Sequence, residues 1–179
     1  MRIVAGKYRH RLIEYPNDAE HIRPTKDRIR EALFSSLGDI SNMQVLDLYA
    51  GSGAMGIEAL SREASKCVFV DNNKVAYNTI KHNLENLKID NYELLLMDDM
   101  KALERFKNNN YIFDIVILDP PYKSETYIEV INYLINNGLV NDNARIITEC
   151  NRELDFSSIT TKRIKEYRYG EIIVNVLYL

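Results

Sequence analysis

A chain of 179 residues, 46% hydrophobic and 27% charged, is long enough to bury one core and has the balance of a soluble globular protein. Its apolar runs fall short of the roughly 20 residues that span a bilayer, and charge returns soon after Met1, so neither a membrane helix nor a signal peptide is expected and the chain reads as cytoplasmic. The isolated cysteines Cys67 and Cys150 build neither a disulfide framework nor a zinc cluster; they read as small buried hydrophobes, and no metal is expected. The net charge of −3 is uneven, with residues 1–30 carrying +4 and the remainder −7, the pattern of an anionic partner docking at one end.

In chain order, Arg2–Tyr8 and Arg11–Tyr15 read as two short strands joined at Arg9-His10. After the polar stretch Pro16–Glu20 and Arg23-Pro24, Thr25 reads as a helix N-cap, Ile29, Ala32, Leu33, Phe34 and Leu37 fall at helical spacing, and Gly38 is a stop. Alternation follows: strand 45–48, helix 55–62, strand 67–70, helix 74–87, strand 93–97, a short helix near 100–106, strand 113–118, helix 125–136 and strand 144–148. Phe113–Leu118 is almost continuously apolar, as in a strand covered on both sheet faces. Residues 160–167 and 171–178 around Tyr169-Gly170 read as a closing antiparallel hairpin. Strands alternating with helices predict an α/β, doubly wound, mostly parallel sheet with an antiparallel C-terminal hairpin. The division expected is a basic β-hairpin extension over 1–22 and a main domain over 23–179.

The run Asp47-Leu48-Tyr49-Ala50-Gly51-Ser52-Gly53-Ala54-Met55-Gly56 places G-x-G-x-x-G between a strand and a helix, where a nucleotide site lies. The pattern alone also fits a dinucleotide. Asp47, four residues before Gly51, would repel a pyrophosphate and attract the ammonium of a methionine moiety, which favours S-adenosylmethionine. Asp71, 20 residues after Gly51, stands where an acid accepts bonds from ribose hydroxyls, and Asp98 could take the adenine amine; the adjacent Asp99 could be a helix cap, and which of the two meets the adenine stays open. The cofactor-binding candidates are thus Asp47, Tyr49, Ala50, Gly51, Gly53, Asp71, Asn72 and Asp98.

Asp119-Pro120-Pro121-Tyr122 follows the most apolar strand at its C-terminal end. The amine of an aromatic base is a poor nucleophile because its lone pair is delocalised into the ring. Accepting its two N–H bonds with the Asp119 carboxylate and the Pro120 carbonyl would localise that pair, Pro121 would stiffen the corner, and Tyr122 would stack on the base. These four are the catalytic candidates. Lys7, Arg9, Arg11, Arg23, Thr25, Arg28 and Arg30 are the candidates for contacting nucleic-acid phosphates.

Together these segments resemble the RsmD family of bacterial 16S ribosomal RNA guanine-N2 methyltransferases. The resemblance runs from Ile3-Val4-Ala5-Gly6-Lys7-Tyr8-Arg9 through Arg23-Pro24-Thr25-Lys26-Asp27-Arg28-Ile29-Arg30-Glu31-Ala32-Leu33-Phe34, its family-specific part, to the glycine turn and Asp119–Tyr122. It implies a Rossmann-like class I methyltransferase fold and a guanine held by Asp119 to Tyr122. The implied partner is 16S rRNA in the small ribosomal subunit or its assembly intermediate, met by a monomer. The chain departs from the family at Ala5, where a second glycine is common, and at Asp98, where the family pattern is loose. DNA adenine-N6 or cytosine-N4 methyltransferases use the same tetrapeptide chemistry, but only 20 residues lie between Asp98 and Asp119, little room for a target-recognition domain. A dinucleotide-binding protein is opposed by Asp47.

Overall fold

The computed structural model describes residues 1–16, 25–121 and 125–179. Five helices and seven strands follow in the order α1 (Thr25–Leu37), β1 (Gln44–Leu48), α2 (Ala54–Ser61), β2 (Lys66–Asp71), α3 (Lys74–Leu87), β3 (Tyr92–Leu96), α4 (Asp99–Asn108), β4 (Phe113–Leu118), α5 (Tyr127–Asn136), β5 (Val140–Cys150), β6 (Arg163–Tyr169) and β7 (Ile172–Tyr178). They form one sheet of order β3-β2-β1-β4-β5-β7-β6. The first five of these are parallel; β7 runs antiparallel to both β5 and β6.

The two-residue period of a strand divides the core. Val45, Cys67, Phe69, Ile115 and Ile117 point to the face covered by α1, α2 and α3, while Leu46, Leu48, Val68, Val70, Val116 and Leu118 meet α4 and α5. β4 is therefore sealed on both faces, as its apolar run predicts. Asp47 falls on the α2 side by the same alternation. β1 lies between β2 and β4, so successive crossovers leave it in opposite directions, which opens a crevice at the C-terminal ends of these strands.

The N-terminal hairpin is shorter than its sequence pattern suggests. Ile3 N–H donates to Arg11 O at 2.9 Å and Ile13 N–H to Met1 O at 2.9 Å, around a single ladder pair, Arg2 with Leu12. Residues 5–10 form turns, because Gly6 and His10 both have positive φ. The amides of Lys7 and Tyr8 donate instead to α2, to the Ser61 carbonyl at 2.7 Å and the Ser61 hydroxyl at 3.0 Å. Ile3 and Ile13 join the main core, so the hairpin packs against the sheet domain.

Candidate active site

A cleft of about 810 Å³ opens at the C-terminal ends of β1, β2 and β4. Of the residues singled out by sequence, Tyr49, Gly51, Asp71, Asn72, Asp119, Pro120 and Pro121 line it. A recess of about 160 Å³ adjoins it through Tyr15, Tyr49, Gly51 and Asp119, with Ala50 on its wall. Asp119 thus stands where the two cavities meet. Tyr122 and Arg23 lie outside the described residues, as does the side chain of Thr25.

Local chemistry builds the turn between β1 and α2. Tyr49 and Ala50 both donate their N–H groups to Val70 O, at 3.0 and 2.9 Å, and Gly53, with positive φ at the N-cap of α2, donates to Ala50 O at 2.7 Å. Gly56 has a different task. A Cβ there would sit 2.2 Å from Phe69 Cε1 and 2.7 Å from Cys67 Sγ, so only glycine lets α2 lie against β2. The Gly56 N–H donates to Asp47 Oδ2 at 2.8 Å. Asp47 is 2% exposed and absent from the cleft wall, which corrects the expectation that it meets an ammonium group directly; its place beneath α2 follows from strand alternation. Burial pushes its carboxyl up to about 7, against the pull of the Gly56 N–H and with the nearby Asp71 charge adding to the rise.

Asp71 ends β2 and faces the cleft. Its Oδ2 accepts from Gly51 N at 2.8 Å and its Oδ1 from Asn73 N at 2.8 Å, and each oxygen retains a further acceptor site for a ribose hydroxyl. Leu48, Val70 and Met97 supply apolar wall beside it. Asp99, rather than Asp98, reaches the cleft: Asp98 occupies the N-cap of α4 and pairs with Lys101 at 3.5 Å, whereas Asp99 lies one residue into the helix. Asp99 Oδ2 accepts from the Tyr49 hydroxyl at 2.5 Å, and burial together with that bond holds the Tyr49 phenol above its usual range. Tyr127, on α5, donates to Glu149 O at 2.7 Å, and burial followed by the Asp119 charge raises its phenol in turn.

Lys7, Arg9, Arg11 and Arg28 are exposed. Arg30 is not available to a phosphate on the surface. It is 3% exposed, donates to Arg2 O at 2.5 Å, and pairs with Asp27 at 3.0 Å and with Glu58 at 3.4 Å. A guanidinium on the inner face of α1 needs a buried carboxylate, and Glu58, fully buried, provides it. Sequence reasoning missed Tyr15, Met97, Glu58 and Asn83, and left Asp99 open beside Asp98. Only Asp99, in its acidic doublet, carried a local signal; the others matter through contacts that no spacing displays. Among the described residues no group of three or more His, Cys, Asp or Glu could hold a metal ion, and no helix is long and apolar enough to cross a membrane.

A mostly parallel, doubly wound sheet with this cleft at its switch point is the class I methyltransferase fold. Known proteins are similar in the same sense. The chain is 36% identical over 156 residues to Ribosomal RNA small subunit methyltransferase D of Haemophilus influenzae, covering 86% of this chain and 80% of that protein. The solved structure of yhhF from Escherichia coli superposes with a TM-score of 0.84 at 31% identity, covering 99% of this chain and 97% of the other. SMU.776, solved with SAH, shares the fold alone, with a TM-score of 0.71 at 18% identity over 88% of this chain and 50% of that one. The chain belongs to the RsmD family: the model described as Conserved hypothetical protein 95 matches residues 1–178. The family is one of S-adenosylmethionine-dependent methyltransferases.

Proposed function

We propose that the protein transfers a methyl group from S-adenosylmethionine to the exocyclic N2 amine of a guanine in 16S rRNA, within the small ribosomal subunit or its assembly intermediate. The observation that carries this reading is the single cleft shared by Asp71, Gly51 and the Asp119–Pro121 corner. Its volume lies in the range of small-molecule sites, and Asp71 and Asp99 beside the apolar walls of Leu48, Val70 and Met97 suit an adenosine. Asp71 and Asn72 would meet the ribose, Tyr49, Ala50, Gly51 and Gly53 form the turn beside the methionine moiety, and Asp99 is the acid nearest the adenine side. When bound, the cofactor supplies an electrophilic methyl on a sulfonium that departs as a neutral thioether.

The chain's own residues supply position and charge. The Asp119 carboxylate and the Pro120 carbonyl accept the two amine N–H bonds, turn the lone pair toward the methyl, and Asp119 then takes the proton that the amine loses. Tyr122 is assigned the stacking face from its place in the motif. Exposed Lys7, Arg9, Arg11 and Arg28, with Arg23 and Thr25, grip phosphates, and the target guanine leaves its stack to reach the corner. The names of the relatives support rRNA of the small subunit as substrate. The test is mass spectrometry of nucleosides from small-subunit rRNA of cells lacking the protein. N2-methylguanosine should fall at one site and return with the wild-type chain; unchanged levels at every site, or methylation confined to duplex DNA, overturn the reading.

A further inference from the structure

Asn83 lies on α3, is 2% exposed, and lines neither cavity. Its amide nevertheless joins two segments that the proposed function requires. Its Oδ1 accepts the Glu14 N–H at 2.7 Å, and its Nδ2 donates to the Glu14 carbonyl at 3.0 Å and to the Ser52 carbonyl at 3.2 Å. Glu14 belongs to the returning arm of the hairpin, three residues after Arg11 and directly before Tyr15, which lines both cavities with Asp119. Ser52 stands between Gly51 and Gly53 in the glycine turn.

The outgoing arm is latched separately. Glu58 on α2, with no exposed surface, accepts the Val4 and Ala5 amides at 2.8 and 3.0 Å, and the Ser61 hydroxyl donates to Ala5 O at 2.5 Å. That latch fixes the hairpin to the far part of α2, whereas Asn83 fixes it to the turn itself. All three groups held by Asn83 belong to the backbone, so the contact fixes the two segments themselves and not their side chains. An amide of this length offers one acceptor and two donors at once. An ionised aspartate offers acceptors only and would face two carbonyls, and a leucine of similar size offers nothing.

We propose that Asn83 is a positioning residue that sets the basic hairpin and the glycine turn in register, so that RNA grip and methyl donor arrive together at Asp119. The inference rests on reading the cleft as the methyl-donor site and the hairpin as an RNA contact. Asn83→Asp and Asn83→Leu, compared with Lys81→Ala on the exposed side of the same helix, test it on small ribosomal subunits from cells lacking the protein. Both Asn83 variants should raise the KM for subunits and the KM for S-adenosylmethionine by about tenfold, while Lys81→Ala stays within about twofold. A merely structural role would lower the active fraction, and with it kcat, at unchanged KM values; that outcome overturns the proposal. Hydrogen exchange on the wild-type chain needs no variant: S-adenosylhomocysteine should slow exchange of the Glu14 amide. Wild-type protein that binds S-adenosylhomocysteine with no slowing at Glu14 refutes the clamp alone. Slowing at Glu14 in a protein that leaves subunits unmethylated refutes the rRNA reading alone.

Discussion

Among the acids near the cleft, three occupy environments that the sequence does not distinguish. Asp47 lies inside β1, Asp71 ends β2 and Asp99 follows β3, yet one is buried beneath a helix, one faces the cleft, and one is tied to a tyrosine. Asp99 and not Asp98 lines the cleft because helix α4 begins one residue earlier than its apolar spacing indicates. The reading of Arg30 fails, since a charge next to apolar helix positions reads as surface until its buried partner Glu58 is known. Two predictions belong at this scale. Asp119→Asn should lower kcat by about 100-fold or more while S-adenosylhomocysteine affinity by calorimetry changes little, since it removes the proton acceptor and keeps the shape. Asp47, held up to about 7 from 3.8, keeps its proton in the folded protein after the unfolded chain has lost it. Its contribution is therefore full below about pH 4 and is lost as pH rises to about 7. The melting-temperature difference between wild type and Asp47→Asn should fall across that window and level off above it.

Elements were legible where apolar period and caps agreed. α3 spans the predicted residues to the position, because Asn73 caps it with bonds to the Val75 and Ala76 amides at 2.7 and 3.2 Å and Lys88 closes it in a left-handed conformation. β5 extends beyond its predicted core at both ends: Val140 pairs with Phe113 before a register shift that leaves residues 141–144 between paired positions, and Glu149 and Cys150 pair with β7. The hairpin was drawn too regular, because the amides of Val4, Ala5, Lys7 and Tyr8 turn to Glu58 and Ser61 rather than across the hairpin. That docking depends on Gly6, whose Cβ would come within 1.8 Å of Ser61 O and whose φ is +79°. Gly6→Ala should cost about 1–3 kcal/mol in chemical denaturation, or more, because the obstructing atom is backbone. Gly56→Ala should cost a similar amount by pushing α2 off β2, and it should weaken cofactor binding because the glycine turn opens that helix.

At the scale of the molecule, the parallel sheet was legible from alternation and the position of the cleft from the glycine turn, but strand order was not. The reversal that places β1 between β2 and β4 depends on which way each crossover travels, and local sequence does not encode that direction. Charge distribution was legible, with Lys7, Arg9 and Arg11 exposed on one hairpin packed against an acidic body. Replacing Arg9 and Arg11 together by Ala should flatten the salt dependence of subunit binding, lowering its logarithmic slope by about 1.4–1.8, with cofactor affinity kept. A slope that does not move would remove these two arginines from the RNA contact.

The latches on the hairpin also bear on how the chain is made. Its amides wait for acceptors 53 to 69 positions further along, at Glu58, Ser61 and Asn83. During translation this cationic arm leaves the exit tunnel before β1, α2, β2 and α3, and it finds its seat only after they have been synthesised. Until then Ile3 and Ile13 have no core to enter, and the basic loop stands unseated beside the ribosome, whose RNA is the class of polyanion that the proposed function gives it to bind.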